Sequence, residues 1–335
     1  MTEISAAIRP IPGPVARWRR ILETGRKTSA ALGHLFTLWV GAELVIPRLD
    51  PHRRQRVAAW FARHTLRALD VTIRVRDTSP ETKGPRLLVA NHVSWLDVYA
   101  LNAVLQARFV AKSETRTWPL LGVITQAFDT LFVVRESFRD AARVKDAAAA
   151  ALRQGDTIVV FPEGTTTDGT LLRRFYPAFF QAAIDASVAV QPVAIRYPGD
   201  HGLPNLAAAF VDDMTFLESF QRIVGQRGLT VELTFGPAIS ATHRTRRELA
   251  QVARRHIADH LAPLGCAIEP QTVRARAKQP THRMRMVPGT GRPAWLPPGE
   301  RTSAGSPDSV ESTLQGFPSA RPWAVLIEGG RHARR

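Results

Sequence analysis

The sequence predicts an α/β fold in which a mostly parallel sheet is covered by helices. Apolar runs of strand length alternate with segments of helical pattern, which is typical of parallel sheets. One of these segments, residues 140–153, is rich in alanine, a strong helix former, and Gly155 follows where helices commonly end. The runs that we interpret as strands are 71–76, 86–90, 108–111, 130–134, 157–161, 188–195 and 229–235.

Composition divides the 335 residues into three predicted regions. Residues 1–70 form a basic region of helical pattern that we expect to associate with a membrane, and residues 71–265 form the α/β domain. Residues 266–335 are basic and rich in proline and glycine without sustained periodicity, so we predict a disordered tail.

The N-terminal region contains an apolar stretch, residues 29–46, with arginines on both sides. It is near the length needed to span a bilayer, but it includes His34 and Glu43, which are costly in such a span. A helix lying in the membrane interface or a shallow re-entrant hairpin fits best, with the arginines on anionic headgroups. A single span and a core helix packed on the following domain are the alternatives. No small-residue cleavage site follows, which argues against a signal peptide.

Charge and cysteine content narrow the classes of function. The net charge of +16 indicates an anionic partner, which could be nucleic acid, anionic lipid or a phosphorylated substrate. The single cysteine, Cys266, cannot form an internal disulfide. There is no zinc-ligand spacing, HExxH motif or Walker A loop, so we predict no metal site and no cofactor.

The first polar block follows the run 86–90 and contains a histidine and a carboxylate, His92 and Asp97. If His92 lies on the loop after the strand and Asp97 in the first turn of the next helix, the carboxylate can accept an imidazole N–H. The other ring nitrogen is then free to act as a general base toward a hydroxyl. The alternative is structural, because Ser94 and Asp97 also have the spacing of a helix capping box.

The second polar block, residues 161–165, follows the run 157–161. Gly164 allows backbone geometry that other residues resist, and such a turn presents N–H groups to an anion. Glu163 could bind a substrate hydroxyl or brace the loop. An ordinary turn between elements is the alternative. Cations at strand ends could hold a phosphate, and these are Lys112, Arg135, Arg173 and Arg174.

These blocks resemble the motifs of the glycerolipid acyltransferase family, the 1-acylglycerol-3-phosphate acyltransferase (PlsC-like) group. The first motif of that family, Asn-His-x-x-x-x-Asp, matches Asn91, His92 and Asp97, and the third, Phe-Pro-Glu-Gly-Thr, matches 161–165. The second and fourth motifs are similar to 131–135 and 190–195. Four motifs in order across roughly 85–200 make the resemblance specific.

The resemblance implies an acyltransferase that moves a fatty acyl group from acyl-CoA or acyl-ACP to the free hydroxyl of a lysolipid. The main predicted acceptor is 1-acylglycerol-3-phosphate, which would give phosphatidic acid. The resemblance also implies the glycerol-3-phosphate acyltransferase-like fold and a location on the cytoplasmic face of the inner membrane. We predict His92 and Asp97 as the catalytic pair. The predicted substrate-binding residues are Asn91, Ser94, Lys112, Arg135, Glu163, Gly164, Thr165, Arg173 and Arg174.

One position departs from the family pattern. The third motif commonly continues with an arginine that is expected to contact the acceptor phosphate, and here Thr166 stands in its place. The segment is closer to a bacterial subgroup that includes lyso-ornithine lipid acyltransferases, which makes that activity the alternative. Two alternative functions are not enzymatic: a non-catalytic, lipid-binding relative of the family and a nucleic-acid-binding protein. We predict no nucleic-acid partner, because no binding module is recognised. The presence of both His92 and Asp97 argues against the non-catalytic relative.

Overall fold

The computed structural model describes residues 14–77, 84–117, 122, 125–126, 128–134, 138–211 and 213–270. The helices are α1 Pro14–Leu44, α2 Pro51–Ala68, α3 Leu96–Val104, α4 Phe138–Arg153, α5 Phe180–Asp185, α6 Phe216–Val224 and α7 Arg246–Leu261. The strands are β1 Val71–Asp77, β2 Arg86–Ala90, β3 Arg108–Lys112, β4 Leu131–Val133, β5 Ile158–Val160, β6 Leu171–Leu172, β7 Ala189–Arg196, β8 Leu229–Phe235 and β9 Ala267–Ile268.

The main sheet has seven strands in the order β1-β8-β7-β2-β5-β3-β4. Neighbouring strands pair in parallel, with the exception of the antiparallel pair β7 and β8. Strands β1 and β8 therefore run opposite to the other five. The predicted fold class, a mostly parallel sheet with helices, is confirmed.

The sheet is buried on both faces, as parallel sheets usually are. Along β2, Leu88 and Ala90 belong to a core cluster that also contains residues of α2, α3 and α6. Leu87 and Val89 point to the other face, into a cluster with residues of α4, α5 and α7. This alternation follows from the two-residue period of a strand. It explains why β2 reads as a continuous apolar run.

The N-terminal region folds into two helices joined by a short 3-10 turn. The first, α1, is one continuous helix that begins well before the apolar stretch at 29–46. Its buried positions Leu38 and Ala42 cluster with Ile46 and with Phe61 of α2. In the described part of the chain, no helix combines the length and the apolar character needed to cross a membrane.

The described part of the chain ends shortly after a second, smaller sheet. Strands β6 and β9 pair in parallel, with Leu171 opposite Ala267 and Leu172 opposite Ile268. The first residues of the predicted tail, 266–270, thus belong to the described fold. The rest of that tail lies outside the described residues, and the domain boundaries at 70 and 265 stay predictions.

Candidate active site

The two polar blocks meet because their strands are neighbours. Strands β2 and β5 pair in parallel, with Val89 opposite Val160, so their carboxyl ends lie side by side at one edge of the sheet. The loops that leave them are hydrogen-bonded to each other, since the Thr167 N–H donates to the His92 carbonyl at 2.8 Å. Strand ends in α/β sheets are where ligand sites collect.

His92 and Asp97 form the predicted pair. The distance from His92 Nδ1 to Asp97 Oδ2 is 2.7 Å, and the side chains are 20% and 0% exposed. A carboxylate oxygen accepts hydrogen bonds, so Nδ1 carries the proton that is donated to it. The imidazole therefore presents Nε2, its other nitrogen, as the one that can accept a proton.

Asp97 also accepts N–H groups of the loop before α3. One of them is the N–H of Ser94, which forms one of the two bonds of the predicted capping box, and the role of His92 as a general base stays a prediction. Asp97 Oδ2 accepts the N–H groups of Val93 at 2.8 Å and Ser94 at 3.0 Å. Its Oδ1 accepts the Tyr197 hydroxyl at 2.7 Å. These bonds hold the carboxylate in one orientation, so the helix cap also orients the imidazole of His92.

Two residues that support the pair were missed by sequence reasoning. Tyr197, directly after β7, is buried, and burial followed by the charge of Asp97 raises the pKa of its hydroxyl well above the usual value. Phe161 stacks on the imidazole of His92, with ring centroids 3.9 Å apart and an interplanar angle of 12°. Tyr197 is 100 positions from Asp97 in the chain, and no local pattern signals this contact.

The buried side chain of Glu163 links the loop after β2 to the backbone at Arg173. Its Oε1 accepts the His92 N–H at 2.7 Å, and its Oε2 accepts the Arg173 N–H at 2.9 Å. The side chain is only 3% exposed. Burial raises the pKa of this carboxyl to about 8, against the opposing effect of the two N–H donors. These contacts brace the loop, and the predicted role in binding substrate stays a prediction.

The turn after Glu163 has the geometry that its glycine predicts. Gly164 has a φ of +72°, which side chains resist, and its N–H donates to the Phe161 carbonyl at 3.0 Å. Among the described hydrogen bonds, none uses the N–H of Thr165 or Thr166. The Thr166 hydroxyl donates to the Phe210 carbonyl, and the Phe210 N–H donates to the Val93 carbonyl.

Asn91 and Ser94 are buried at the start of the His92 loop. The Asn91 amide donates to the Ile195 carbonyl at 2.9 Å and accepts the Ile195 N–H at 2.8 Å, so both ends of the side chain bind β7. The Ser94 hydroxyl accepts the Leu96 N–H at 3.3 Å. Their predicted contact with substrate stays a prediction, and the contacts above hold the His92 loop on the sheet.

The predicted cations occupy different places. Lys112 is exposed at the end of β3, about 10 Å from the axis of β2 because β5 lies between them. Arg173 is half-buried near Glu163, whose pKa its charge lowers. The Arg174 guanidinium contacts the Tyr176 hydroxyl at 3.0 Å. Arg135 lies outside the described residues.

No group of three or more histidine, cysteine or acidic residues in the described ranges is arranged to hold a metal ion. The single cysteine is buried, and burial raises the pKa of the Cys266 thiol to about 11. A thiol of that kind is a poor nucleophile near neutral pH.

Comparison with known proteins finds acyltransferases. Residues 70–196 match the family model described as acyltransferase. A lyso-ornithine lipid O-acyltransferase of Pseudomonas aeruginosa is 37% identical over 264 residues, which are 78% of this chain and 100% of that protein. A 1-acyl-sn-glycerol-3-phosphate acyltransferase of Neisseria meningitidis is 37% identical over 185 residues, 55% of this chain and 72% of that protein.

A solved structure shares the fold. The crystal structure of the 1-acyl-sn-glycerophosphate (LPA) acyltransferase of Thermotoga maritima superposes with a TM-score of 0.51 and 19% sequence identity. The match covers 73% of this chain and 98% of that chain.

Proposed function

The chain belongs to the acyltransferase family, and from that premise we propose that it transfers a fatty acyl group from acyl-CoA or acyl-ACP to the free hydroxyl of a lysolipid. The observation that carries the proposal is the 2.7 Å contact between His92 Nδ1 and Asp97 Oδ2. It leaves Nε2 of an oriented, partly exposed imidazole available for a hydroxyl proton, as general-base catalysis requires.

The proposed reaction is a direct transfer. His92 Nε2 takes the proton of the lysolipid hydroxyl while the oxygen attacks the thioester carbonyl carbon, and a C–O bond forms. The tetrahedral oxyanion collapses with cleavage of the C–S bond, and the thiolate that leaves takes the proton from His92. Asp97 stabilises the imidazolium in between, by the logic of a serine triad in which the acceptor alcohol replaces the serine. No step of this mechanism calls on a metal or cofactor.

The oxyanion needs hydrogen-bond donors that are already in place. The N–H groups of Thr165 and Thr166 meet this requirement best, because the described hydrogen bonds leave them unused. They lie in the loop that the Thr167 N–H fastens to the His92 carbonyl, and Gly164 sets the turn. We propose that this turn receives the developing negative charge.

Two acceptors are candidates, 1-acylglycerol-3-phosphate and lyso-ornithine lipid. Both offer a free hydroxyl and an anionic group, a phosphate in the first and a carboxylate in the second. A specific observation favours the second: Thr166 stands where the phosphate-binding arginine is expected, and its hydroxyl is bonded to the Phe210 carbonyl. The relative that this chain matches over that protein's full length is itself a lyso-ornithine lipid O-acyltransferase. Arg173, whose N–H donates to Glu163, is the predicted cation that we propose binds either anion.

We propose that the enzyme works on the cytoplasmic face of the inner membrane. Support comes from α1, which exposes large apolar side chains, among them Leu22, Leu32 and Phe36. A helix with one packed face and one exposed apolar face is suited to the membrane interface. The net charge of +16 would add attraction to anionic lipids.

The test is an acylation assay with the full-length protein in vesicles that contain anionic lipid. Radiolabelled acyl-CoA and acyl-ACP are offered separately, each with lysophosphatidic acid and with lyso-ornithine lipid. We expect a diacylated product from at least one acceptor, and its rate of formation should be at least about a hundredfold lower with the His92→Ala variant. His256→Ala, which changes an exposed histidine of α7, is the matched control. Absence of product with all four pairs would refute the proposed function.

A further inference from the structure

Every N–H and carbonyl group of the two peptide units that flank Arg173 forms a hydrogen bond. In the peptide unit between Leu172 and Arg173, the N–H donates to Glu163 Oε2, and the carbonyl accepts from the Glu269 N–H at 3.0 Å. In the next unit, the N–H of Arg174 donates to Glu269 Oε2 at 2.9 Å. The carbonyl of that unit accepts from Arg254, as described next. Such a backbone fixes the direction in which the Arg173 side chain leaves the chain.

Arg254 donates hydrogen bonds to the carbonyl groups of these two peptide units. It lies on α7 and is only 7% exposed, and burial lowers the pKa of its guanidinium. Its Nε donates to the Arg173 carbonyl at 2.8 Å and its Nη2 to the Leu172 carbonyl at 3.2 Å. Nη2 also donates to the Glu269 carbonyl. Burying a charge is costly unless its donors are satisfied, so these contacts compensate for the desolvation of Arg254.

The contacts form a continuous path to the catalytic loop. Arg254 binds the Arg173 carbonyl, the Arg173 N–H binds Glu163, and the other oxygen of Glu163 binds the His92 N–H. Arg254 and Glu269 both lie outside residues 70–196, which match the family model. The acyltransferase motifs are therefore braced by two elements that follow them in the chain.

We propose that Arg254 and Glu269 are positioning residues that aim the Arg173 guanidinium at the anionic headgroup of the acceptor. This inference rests on the proposed function and adds to it the means by which the acceptor is held. Within the described residues, the guanidinium of Arg173 makes no hydrogen bond or ion pair, while both of its adjoining peptide units are fully bound. The side chain is thus aimed by its backbone and left available for a ligand.

The experiment compares steady-state kinetics of Arg254→Met, Arg173→Met and the double variant. Arg255→Met is the control, because Arg255 is the exposed neighbour of Arg254 on α7. We expect either single change to raise the acceptor KM by about tenfold to a hundredfold, since a small misplacement of a binding group is costly. The donor KM is expected to stay within about twofold. The double variant should be no worse than Arg173→Met alone, because Arg254 acts through Arg173.

A purely structural role predicts a different pattern. If the effects of Arg254→Met and Arg173→Met multiply, or if the donor KM and kcat change as much as the acceptor KM, the positioning role is wrong. The same holds if Arg254→Met behaves like the Arg255→Met control. These results concern the variants, whereas failure of the proposed function appears in the unmodified protein.

A second pair of variants keeps the test valid if Arg254→Met lacks a cooperative thermal transition. Glu269→Ala removes the acceptor of the Arg174 N–H, and Glu269→Gln restores an oxygen at that place without the charge. We expect Glu269→Ala to raise the acceptor KM about tenfold and Glu269→Gln to recover most of that loss. Equal acceptor KM values for the two variants would overturn the proposal.

Discussion

The active-site edge of the sheet and helix α1 place their side chains in opposite ways. At the active-site edge, polar groups are buried and bonded: Asp97 is 0% exposed and accepts from four groups, and Glu163 is 3% exposed and accepts from two. On α1, large apolar side chains are exposed, with Leu22 at 70% and Phe36 at 61%. The first region buries its polar groups in contact with one another, and the second leaves large apolar groups exposed.

A buried cation of α1 links this helix to the sheet region. Lys27 is 3% exposed, and its Nζ donates to Asp70 Oδ2 at 3.0 Å and to the Gln226 carbonyl at 2.7 Å. Asp70 also accepts the Gly228 N–H. The packed face of α1 is thus fastened to the turns before β1 and β8. The exposed face can be changed without touching the catalytic loops, so the two regions can be tested separately.

The largest expected effect is on the catalytic side of the comparison. His92→Ala should lower the acyl-transfer rate by roughly 10²–10⁴, because it removes the general base. Asp97→Asn should lose less, since it keeps most of the helix cap but disturbs the orientation of the imidazole. Vesicle sedimentation should be unchanged for both variants. If Asp97→Asn kept full activity, Asp97 would be only a helix cap.

The next effect concerns the exposed face of α1. The double change Leu32→Ser and Phe36→Ser removes two exposed apolar side chains that make no part of the packed face. Full burial of such a side chain contributes about 1.5–3 kcal/mol, so vesicle binding should weaken by more than tenfold. The matched control is Leu203→Ser and Leu206→Ser, which changes exposed leucines elsewhere on the surface. Equal binding by the two double variants would show that α1 is not the membrane-facing element.

A third prediction uses the buried carboxyl of the active site. Burial raises the pKa of Glu163 from 4.5 to about 8, so the folded protein holds this proton more tightly than the unfolded chain. The stability from this group is fully present below about pH 4.5 and is lost as the pH rises toward 8. The free energy of unfolding of the native protein, minus that of Glu163→Gln, should therefore fall across this range in denaturant titrations.

The control for this experiment is Glu114→Gln, which changes an exposed carboxyl. The free energy of unfolding of the native protein, minus that of Glu114→Gln, should not fall across the same pH range. A difference for Glu163→Gln that rises with pH would mean that the carboxyl is held in its charged form, and the bracing N–H groups would then dominate over burial.

The same contrast shows what could be predicted from sequence. The strands were found because β2 and β5 are short apolar runs with polar residues after them. The pair His92 and Asp97 was found because both lie in one loop and the following helix turn, so their contact depends on local geometry. Gly164 was predicted to allow backbone geometry that other residues resist, and its φ of +72° is of that kind.

The parts that escaped prediction depend on contacts distant in the chain. Nothing near Tyr197 marks it as a partner of Asp97, and nothing near Arg254 marks it as a partner of the Arg173 backbone. The antiparallel pairing of β8 with β7 is equally invisible, because an apolar run has no direction. For α1, the apolar pattern predicted a helix but left its surroundings open, since packed and exposed apolar faces have the same composition.

The smallest expected effect separates two arginines of α2 that look alike in the sequence. Arg56 is exposed, whereas Arg54 donates to Asp129 at 2.9 Å and to the carbonyls of Leu49 and Pro47. Arg56→Glu should weaken binding to anionic vesicles by about 1 kcal/mol per unit of charge, an effect that salt suppresses. Arg54→Glu should lower the midpoint of thermal unfolding instead, because it breaks a partly buried ion pair and places two carboxylates together. If both variants lost vesicle binding equally and unfolded at the native temperature, the headgroup contacts would involve the whole basic face of α2, and the ion pair with Asp129 would carry no stability.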